Sequence, residues 1–386
     1  MRRKAQKSKV IYLDNAATSP TKEEVVKEML PYFTNIYSNP SAVYGFAGKS
    51  VVALDNARRK LAEVMGAKPE EIYFTGGGSE SDNWALKAAA EDANNKGKHI
   101  ITSKIEHHAV LNTCRYLETK GYDVTYLGVD ESGCVSTDEL KDAIREDTFL
   151  ISIMMANNEV GTIQPVADIG QIAREKGILF HTDAVQAYGH IPINVNDMSI
   201  DMLSASAHKF GGPKGVGFLY VKKNVKLSSF IHGGGQERGK RAGTYNVPGI
   251  VGMGKAAELA AASLQKNIET ETMLRDRLIE RVLSEIPDVK LNGSHKKRLP
   301  GNANFCFKGV QGESLLILLD QKHICVSSGS ACTSGSLDPS HVLMAMGLSD
   351  ESASSSLRIT LSSDNTPEQI DYVVDELKTI VSGLRN

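Results

Sequence analysis

The sequence predicts an α/β protein with a large domain built on a mostly parallel seven-stranded sheet and a smaller α+β domain. Three observations predict it. Between residues 70 and 222, short strand-like runs alternate with helix-like stretches, the signature of a largely parallel sheet. A long helical stretch follows, and beyond it lie further short strands and helices. The chain has 386 residues, too many for one ordinary domain, and 41% apolar residues, enough to bury a sizeable core.

The strand candidates in the first region are 71–74, 99–102, 123–129, 149–156, 178–184, 201–207 and 216–221. Between them, SESDNWALKAAAEDANNK opens on a serine that suits a helix N-cap, and ADIGQIAREKG closes on a glycine stop. From about Pro248 to Ser284, charged residues recur near the helical period, as expected of a long helix leading to a second unit. Beyond it, DVKLNG, NANFCFKG, HICVSSGS and SLRITL predict short strands, and GESLLILLDQ and TPEQIDYVVDELKTIVSGL predict helices.

A formal charge of -2 gives no overall pull toward nucleic acid or anionic lipid, so neither is an expected partner and the substrate is expected to be small. Cys114, Cys134, Cys306, Cys325 and Cys332 are odd in number and form no CxxC pair, which argues against a disulfide framework and a thiolate zinc site. No metal is expected, and the compartment is expected to be reducing. No apolar run approaches the ~20 residues that span a bilayer. The opening MRRKAQKSK lacks the apolar core of a secretory signal and reads as a solvated tail in the cytoplasm. The short basic run KKR at 296–298 reads as a solvated face or a docking point for an acidic partner.

Four stretches carry chemistry. FTGGGSES (74–81) follows a strand and opens a helix, so its glycines let backbone approach an anion at the helix N-terminus, with Ser79 adding a hydroxyl. SASAHKFGGPKGVGF (204–218) places Lys209 at the end of a strand, in a run too apolar for a surface charge. A lysine partly withdrawn from water becomes a nucleophile for carbonyls. HTDAVQ (181–186) sets Asp183 at the C-terminal end of another strand, where it either caps the next helix or pairs with a protonated pyridine nitrogen. A phosphate cradle, a Schiff-base lysine and a pyridinium carboxylate together fit one cofactor, pyridoxal 5'-phosphate. Finally, SSGSACTSG (327–335) surrounds Cys332 with small residues that cannot anchor it by burial, and predicts an exposed, mobile loop with an accessible thiol.

With these motifs in place the chain resembles the pyridoxal-phosphate-dependent cysteine desulfurases of the NifS/IscS type. The resemblance runs from IYLDNAAT (11–18) to the last helix, through FTGGGSESDN, KIEHHAV, MMANNEVGTIQP, HTDAVQ, SAHKFGGPKG, HGGGQERGKRAGT, SSGSACTSG and LRITL in order. It implies the fold-type I transferase architecture, with a large cofactor-binding domain at 16–262 and a small domain at 1–15 and 263–386 that carries the cysteine loop.

The resemblance also implies site roles. Lys209 would carry the cofactor as a Schiff base and later remove the substrate α-proton, and His107 would stack on the ring. Asp183 would pair with the ring nitrogen, and Asn158 and Gln186 would hydrogen-bond near the ring oxygen, Asn158 also facing substrate. Gly78, Ser79, Ser206 and His208 would hold the phosphate. Thr244 would reach the phosphate of the neighbouring subunit in a homodimer. Arg358 would bind the substrate carboxylate through its guanidinium fork. Cys332, as thiolate, would attack the sulfur of L-cysteine, leaving a persulfide on the enzyme and releasing alanine. A loop of small residues suits a thiol that must visit the cofactor and then deliver sulfur outward. Singly, each residue has an ordinary reading as a core histidine, a surface amide or a surface ion pair. Their joint order in the chain carries the inference.

Three departures stand out. GGGSES replaces a family loop that usually carries threonine, so the hydroxyl is kept but a methyl is lost. Tyr44 stands where family members commonly have histidine. RAGT replaces the more usual RSGT. The activity implied is L-cysteine desulfuration, supplying sulfur to iron–sulfur cluster assembly or to thiolated cofactors and tRNA through a scaffold or carrier protein. Alternatives on the same residues are selenocysteine lysis or a cystine or cysteine lyase reaction, since a fold does not dictate a reaction, and a non-catalytic docking role in sulfur trafficking.

Overall fold

The structure, a computed structural model, describes residues 10–92, 97–328 and 339–386. The basic stretch at the start and the loop around Cys332 lie outside the described residues. The described strands are β1 (Ile11–Tyr12), β2 (Ile72–Thr75), β3 (His99–Ser103), β4 (Asp123–Leu127), β5 (Thr148–Ser152), β6 (Leu179–Asp183), β7 (Met202–Ser206), β8 (Gly217–Val221), β9 (Val289–Leu291), β10 (Asn302–Phe307), β11 (Ile324–Cys325) and β12 (Ser356–Thr360).

Seven of them form one sheet in the order β2-β8-β7-β6-β5-β3-β4. β8 runs antiparallel to both β2 and β7, and the other neighbours pair parallel. Six strands therefore point the same way, and their C-terminal ends open on one edge.

Alternation along the strands explains why the sheet is covered on both faces. Ile100, Leu150, Met202 and Leu219 pack with Trp84, Leu86, Val110 and Leu117 on one side. Their immediate neighbours Ile101, Ile151, Leu203 and Phe218 join Leu61, Ile169, Tyr188 and Ile250 on the other. At roughly 2 kcal/mol per buried large apolar side chain, these two layers are the main source of the unit's stability.

The helix Val247–Glu285 spans 39 residues. Its first part, with Ile250, Met253 and Ala257, belongs to the large core, whereas Leu274, Leu278 and Val282 pack against β9, β10 and β12 in a second core. Arg277 and Arg281 pair with Asp371 on the last helix, Pro367–Arg385, which starts at a capping box formed by Thr366 and Gln369. β1 pairs with β11, so the segment leading to the YLDNAAT motif threads through the second unit before entering the first.

The structure refines the sequence expectations in three places and matches one of them outright. The helix after β2 is Gly78–Glu91 with Gly77 as its N-cap at φ 153°, so Ser79 lies inside the first turn rather than capping it. The apolar run 149–156 leaves the sheet after Ser152, and its last residues descend toward the open edge. Gly177 does end its helix, in the left-handed conformation at φ 65°. Of the KKR run, Arg298 is buried, donating to the carbonyls of Asn292, Ser294 and Asn302, so only two lysines face solvent.

Candidate active site

Five of these C-terminal strand ends contribute to one cleft of about 670 Å³, counted out to its open mouth. That size suits a small-molecule site, typically ~300–1,000 Å³. β2 leads to Gly78 and Ser79, β3 to His107, β5 to Asn158, β6 to Asp183 and Gln186, and β7 to Ser206, His208 and Lys209, and all nine line the cleft. Ala16, Asp82, Met154 and Val185 complete it.

The glycine loop forms its cradle by exclusion. A Cβ on Gly78 would lie 2.6 Å from Val185 Cγ2, and one on Gly217 would meet the Ala205 carbonyl oxygen at 2.5 Å and Gly77 Cα at 2.8 Å. The N-terminal amides of Gly78–Glu91 thus face Ser206 and His208 across a gap that only glycine leaves open. Glu80 accepts from Gly76 N at 2.8 Å and pairs with Arg241, tying the cradle to the loop that bears Thr244.

Lys209 Nζ donates to the carbonyls of Ala16 at 2.6 Å and Ala17 at 2.7 Å. Gln186 donates to the same Ala16 oxygen at 3.0 Å, and His208 Nδ1 meets Thr18 Oγ1 at 3.1 Å. The turn that follows β1 therefore closes the lysine side of the cleft.

Asp183 is buried, which pushes its carboxyl up to about 6, against the pull of the Val185 N–H at 2.8 Å and of Lys209. His107 caps the helix His108–Glu118, its Nδ1 accepting from Ala109 N at 3.1 Å, which leaves the proton of the neutral ring on Nε2. Burial, Lys209 and His108 push its imidazole down to about 4, and burial, Lys209 and Lys214 do the same for His208. Both rings are neutral at physiological pH.

Two buried acids that sequence reasoning did not assign stand at the cleft, Asp82 among its lining residues and Glu106 next to the lining His107. Asp82 is buried, with Oδ1 unpartnered and 3.7 Å from His181 Nε2; burial and the nearby Asp183 push its carboxyl well up. Glu106 accepts from Ser103 Oγ at 2.6 Å and Met154 N at 2.9 Å, its Oε2 is unpartnered, and burial pushes it up to about 8. The available signal was position: Asp82 stands three residues after Ser79, and Glu106 directly precedes His107.

Arg358 and Thr244 do not line the cleft. Arg358 is buried on β12, with NH1 donating to the Asn158 carbonyl at 3.2 Å and NH2 to Asp14 Oδ1 at 2.9 Å. Thr244 is exposed. Cys332 lies outside the described residues.

The residues present fit pyridoxal phosphate. The cradle accepts a phosphate, Lys209 offers an amine, Asp183 offers a buried carboxylate, and the neutral His107 offers a flat ring that does not repel a protonated pyridine. Comparison with known proteins agrees. The family model for class-V aminotransferases matches residues 11–373. The cysteine desulfurase IscS of Methanosarcina thermophila is 56% identical over 379 residues, covering 98% of this chain and 94% of the relative. A solved NifS-like protein superposes with a TM-score of 0.91 at 40% identity, covering 97% of this chain and 100% of that one. SspA, solved in complex with cysteine, superposes with a TM-score of 0.81 at 41% identity, covering 92% of this chain and 100% of that one.

Proposed function

This chain belongs to the class-V aminotransferase family, and from that premise we propose that it is an L-cysteine desulfurase using pyridoxal 5'-phosphate. The observation that carries the reading is the convergence of Lys209, Asp183, His107 and the glycine cradle in one cleft of a chain 56% identical to a cysteine desulfurase.

The cofactor, when bound, supplies an electron sink for charge developing at the substrate Cα. Gly78, Ser79, Ser206 and His208 would hold its phosphate, Asp183 would keep its ring nitrogen protonated, and His107 would cover the ring as a neutral imidazole. Asn158 and Gln186 would orient its oxygen. Lys209 would hold it through its amine and, once that amine is free, would accept the proton from the substrate Cα. Arg358 receives the substrate carboxylate. The Cys332 thiolate attacks the sulfur of L-cysteine: an S–S bond forms, the substrate C–S bond breaks with its electron pair staying on carbon, and that carbon takes up a proton to become the methyl of alanine. Cys332 is left as a persulfide, which a thiol of an acceptor protein, such as an iron–sulfur scaffold or a sulfur carrier, removes by attack on the outer sulfur.

The protein acts as a homodimer. Leu30, Phe33, Tyr37 and Val43 are exposed apolar side chains at the N-terminal end of the large unit. Ser41 Oγ donates to Gln236 Oε1 at 2.8 Å, linking that surface to the loop that carries Thr244. A second copy covering the surface would bring Thr244 toward the neighbouring cradle. Sedimentation as a monomer at micromolar concentration would exclude this. The four described cysteines are free thiols, which supports a reducing compartment, the cytoplasm, and no helix among the described residues is long and apolar enough to cross a membrane.

The test is incubation with L-cysteine and a reductant, measuring alanine and sulfide together, beside a Cys332→Ser variant. Equal alanine and sulfide, both lost in the variant, are expected. Alanine formation that survives in the variant, or pyruvate in place of alanine, overturns the reading.

A further inference from the structure

Arg358 is a buried cation with an imperfect partner. Its side chain is 1% exposed, and a guanidinium so far from water requires a counter-ion. The hydrogen-bonded counter-ion is Asp14, from the turn after β1, 344 residues away in the chain, with the buried Glu159 carboxyl close enough to feel the charge as well. Its pairing is one-pronged: Asp14 Oδ1 takes NH2 at 2.9 Å, the Asn158 carbonyl takes NH1, and Nε is buried with no partner among the described residues. A guanidinium is best satisfied by a carboxylate that engages Nε and NH2 together.

Asp14 is also the more accessible of the two, its side chain 20% exposed. Its backbone is held independently: Ala16 N donates to Thr360 Oγ1 and Asn15 Nδ2 to the Thr360 carbonyl, both at 2.9 Å. Releasing Arg358 therefore requires only a rotation of the Asp14 side chain toward solvent, with the turn that holds Lys209 left in place.

We propose that Asp14 is a resident stand-in for the substrate carboxylate. It neutralises Arg358 while the site awaits substrate, and the α-carboxylate of an amino acid displaces it by taking Nε and NH2 as a bidentate pair. The inference rests on the reading of Arg358 as the group that receives that carboxylate. Asp14 is then a positioning residue that sets the affinity for amino acids: substrate binds by competing against an internal carboxylate, and an amine that lacks a carboxylate cannot compete.

The experiment uses holoenzyme carrying Asp14→Asn, whose uncharged amide oxygen can still accept from NH2, with Asp14→Ser as a second variant whose shorter side chain leaves NH2 free. KM and kcat for L-cysteine are measured, together with the dissociation constant of the product L-alanine by equilibrium dialysis. Removing the competitor is expected to lower KM and the L-alanine constant in parallel, by about tenfold, with kcat little changed. Folded variants in which both constants are unchanged or raised overturn the proposal. Arg358→Lys, which keeps a cation but no fork, separates the two ideas. If it leaves L-alanine binding unchanged, the assignment of Arg358 to the carboxylate fails; if it weakens binding while the Asp14 variants do not tighten it, only the stand-in role fails.

Discussion

The ammonium of Lys209 lies 2.6 Å from the carbonyl oxygen of Ala16, a residue 193 positions earlier in the chain. Together with Ala17, that carbonyl fixes where the amine points, out of the end of β7 and across the cleft toward the turn after β1. Replacing Lys209 by alanine removes both the attachment of the cofactor and the base. Alanine release is expected to fall by at least about a thousandfold, measured by amino-acid analysis under saturating cofactor.

Asp183→Asn keeps the shape of the side chain and removes the charge that holds a ring nitrogen protonated. Turnover is expected to fall by about a hundredfold or more. The pH dependence has a definite sign. Burial raises this carboxyl to about 6, so the ionised form that pairs with the ring is present above that pH and is lost as pH falls through it. Cofactor affinity, titrated by visible absorbance, should weaken below about pH 6 in the wild type and show a flatter profile in the variant.

His107, held at about 4, is neutral across the working range and should contribute no limb to the pH–rate profile between pH 5 and 8. Placing a fixed cation there with His107→Lys should weaken cofactor binding by opposing the protonated ring, whereas His107→Phe, a neutral ring, should retain most of it. Equal affinity in the two variants would contradict the stacking role.

Glu106 is predicted to make stability depend on pH. Its folded value of about 8 lies above the 4.5 of an exposed glutamate, so between those values the folded chain holds a proton that the unfolded chain has released. Stability therefore falls as pH rises from about 4.5 to about 8. Glu106→Gln is neutral throughout and removes that slope. Its Tm relative to wild type should rise by a few degrees between pH 5 and 8.5, measured by calorimetry on the protein without cofactor.

The Arg58–Glu237 pair tests the frame around the cradle. Glu237 is 2% exposed, takes Arg58 at 2.5 and 2.9 Å, and also accepts from Phe74 N at 3.0 Å on β2. Arg58→Ala strands a buried carboxylate and should cost about 3–5 kcal/mol in denaturant unfolding, while Arg58→Met with Glu237→Gln should recover part of that loss.

Local patterning made the large sheet legible. Short apolar runs and the glycine after Lys176 encode strands and a helix stop within a few residues of themselves, and the chemistry-bearing side chains stand at the ends of those strands in chain order. Tertiary context overrode the local signal at Ser79, where Gly77 takes a backbone conformation closed to serine, and at Arg298, whose charge reads as surface but whose guanidinium is spent on three backbone carbonyls. The reversed direction of β8 was also hidden, because a strand's apolar pattern is the same read from either end.

By itself, then, the sequence determined the fold class and the cofactor chemistry, and through its ordered motifs and the family they resemble it named nine of the residues that meet in the cleft. Only the tertiary structure decided what those residues touch. It set the carbonyls of Ala16 and Ala17 against Lys209, laid Asp14 on Arg358, and buried Asp82 and Glu106 near Asp183, where burial raises both carboxyls. Backbone carbonyls carry no signature in the sequence, and a carboxylate's charge is settled by the burial and neighbours that folding brings to it from distant parts of the chain.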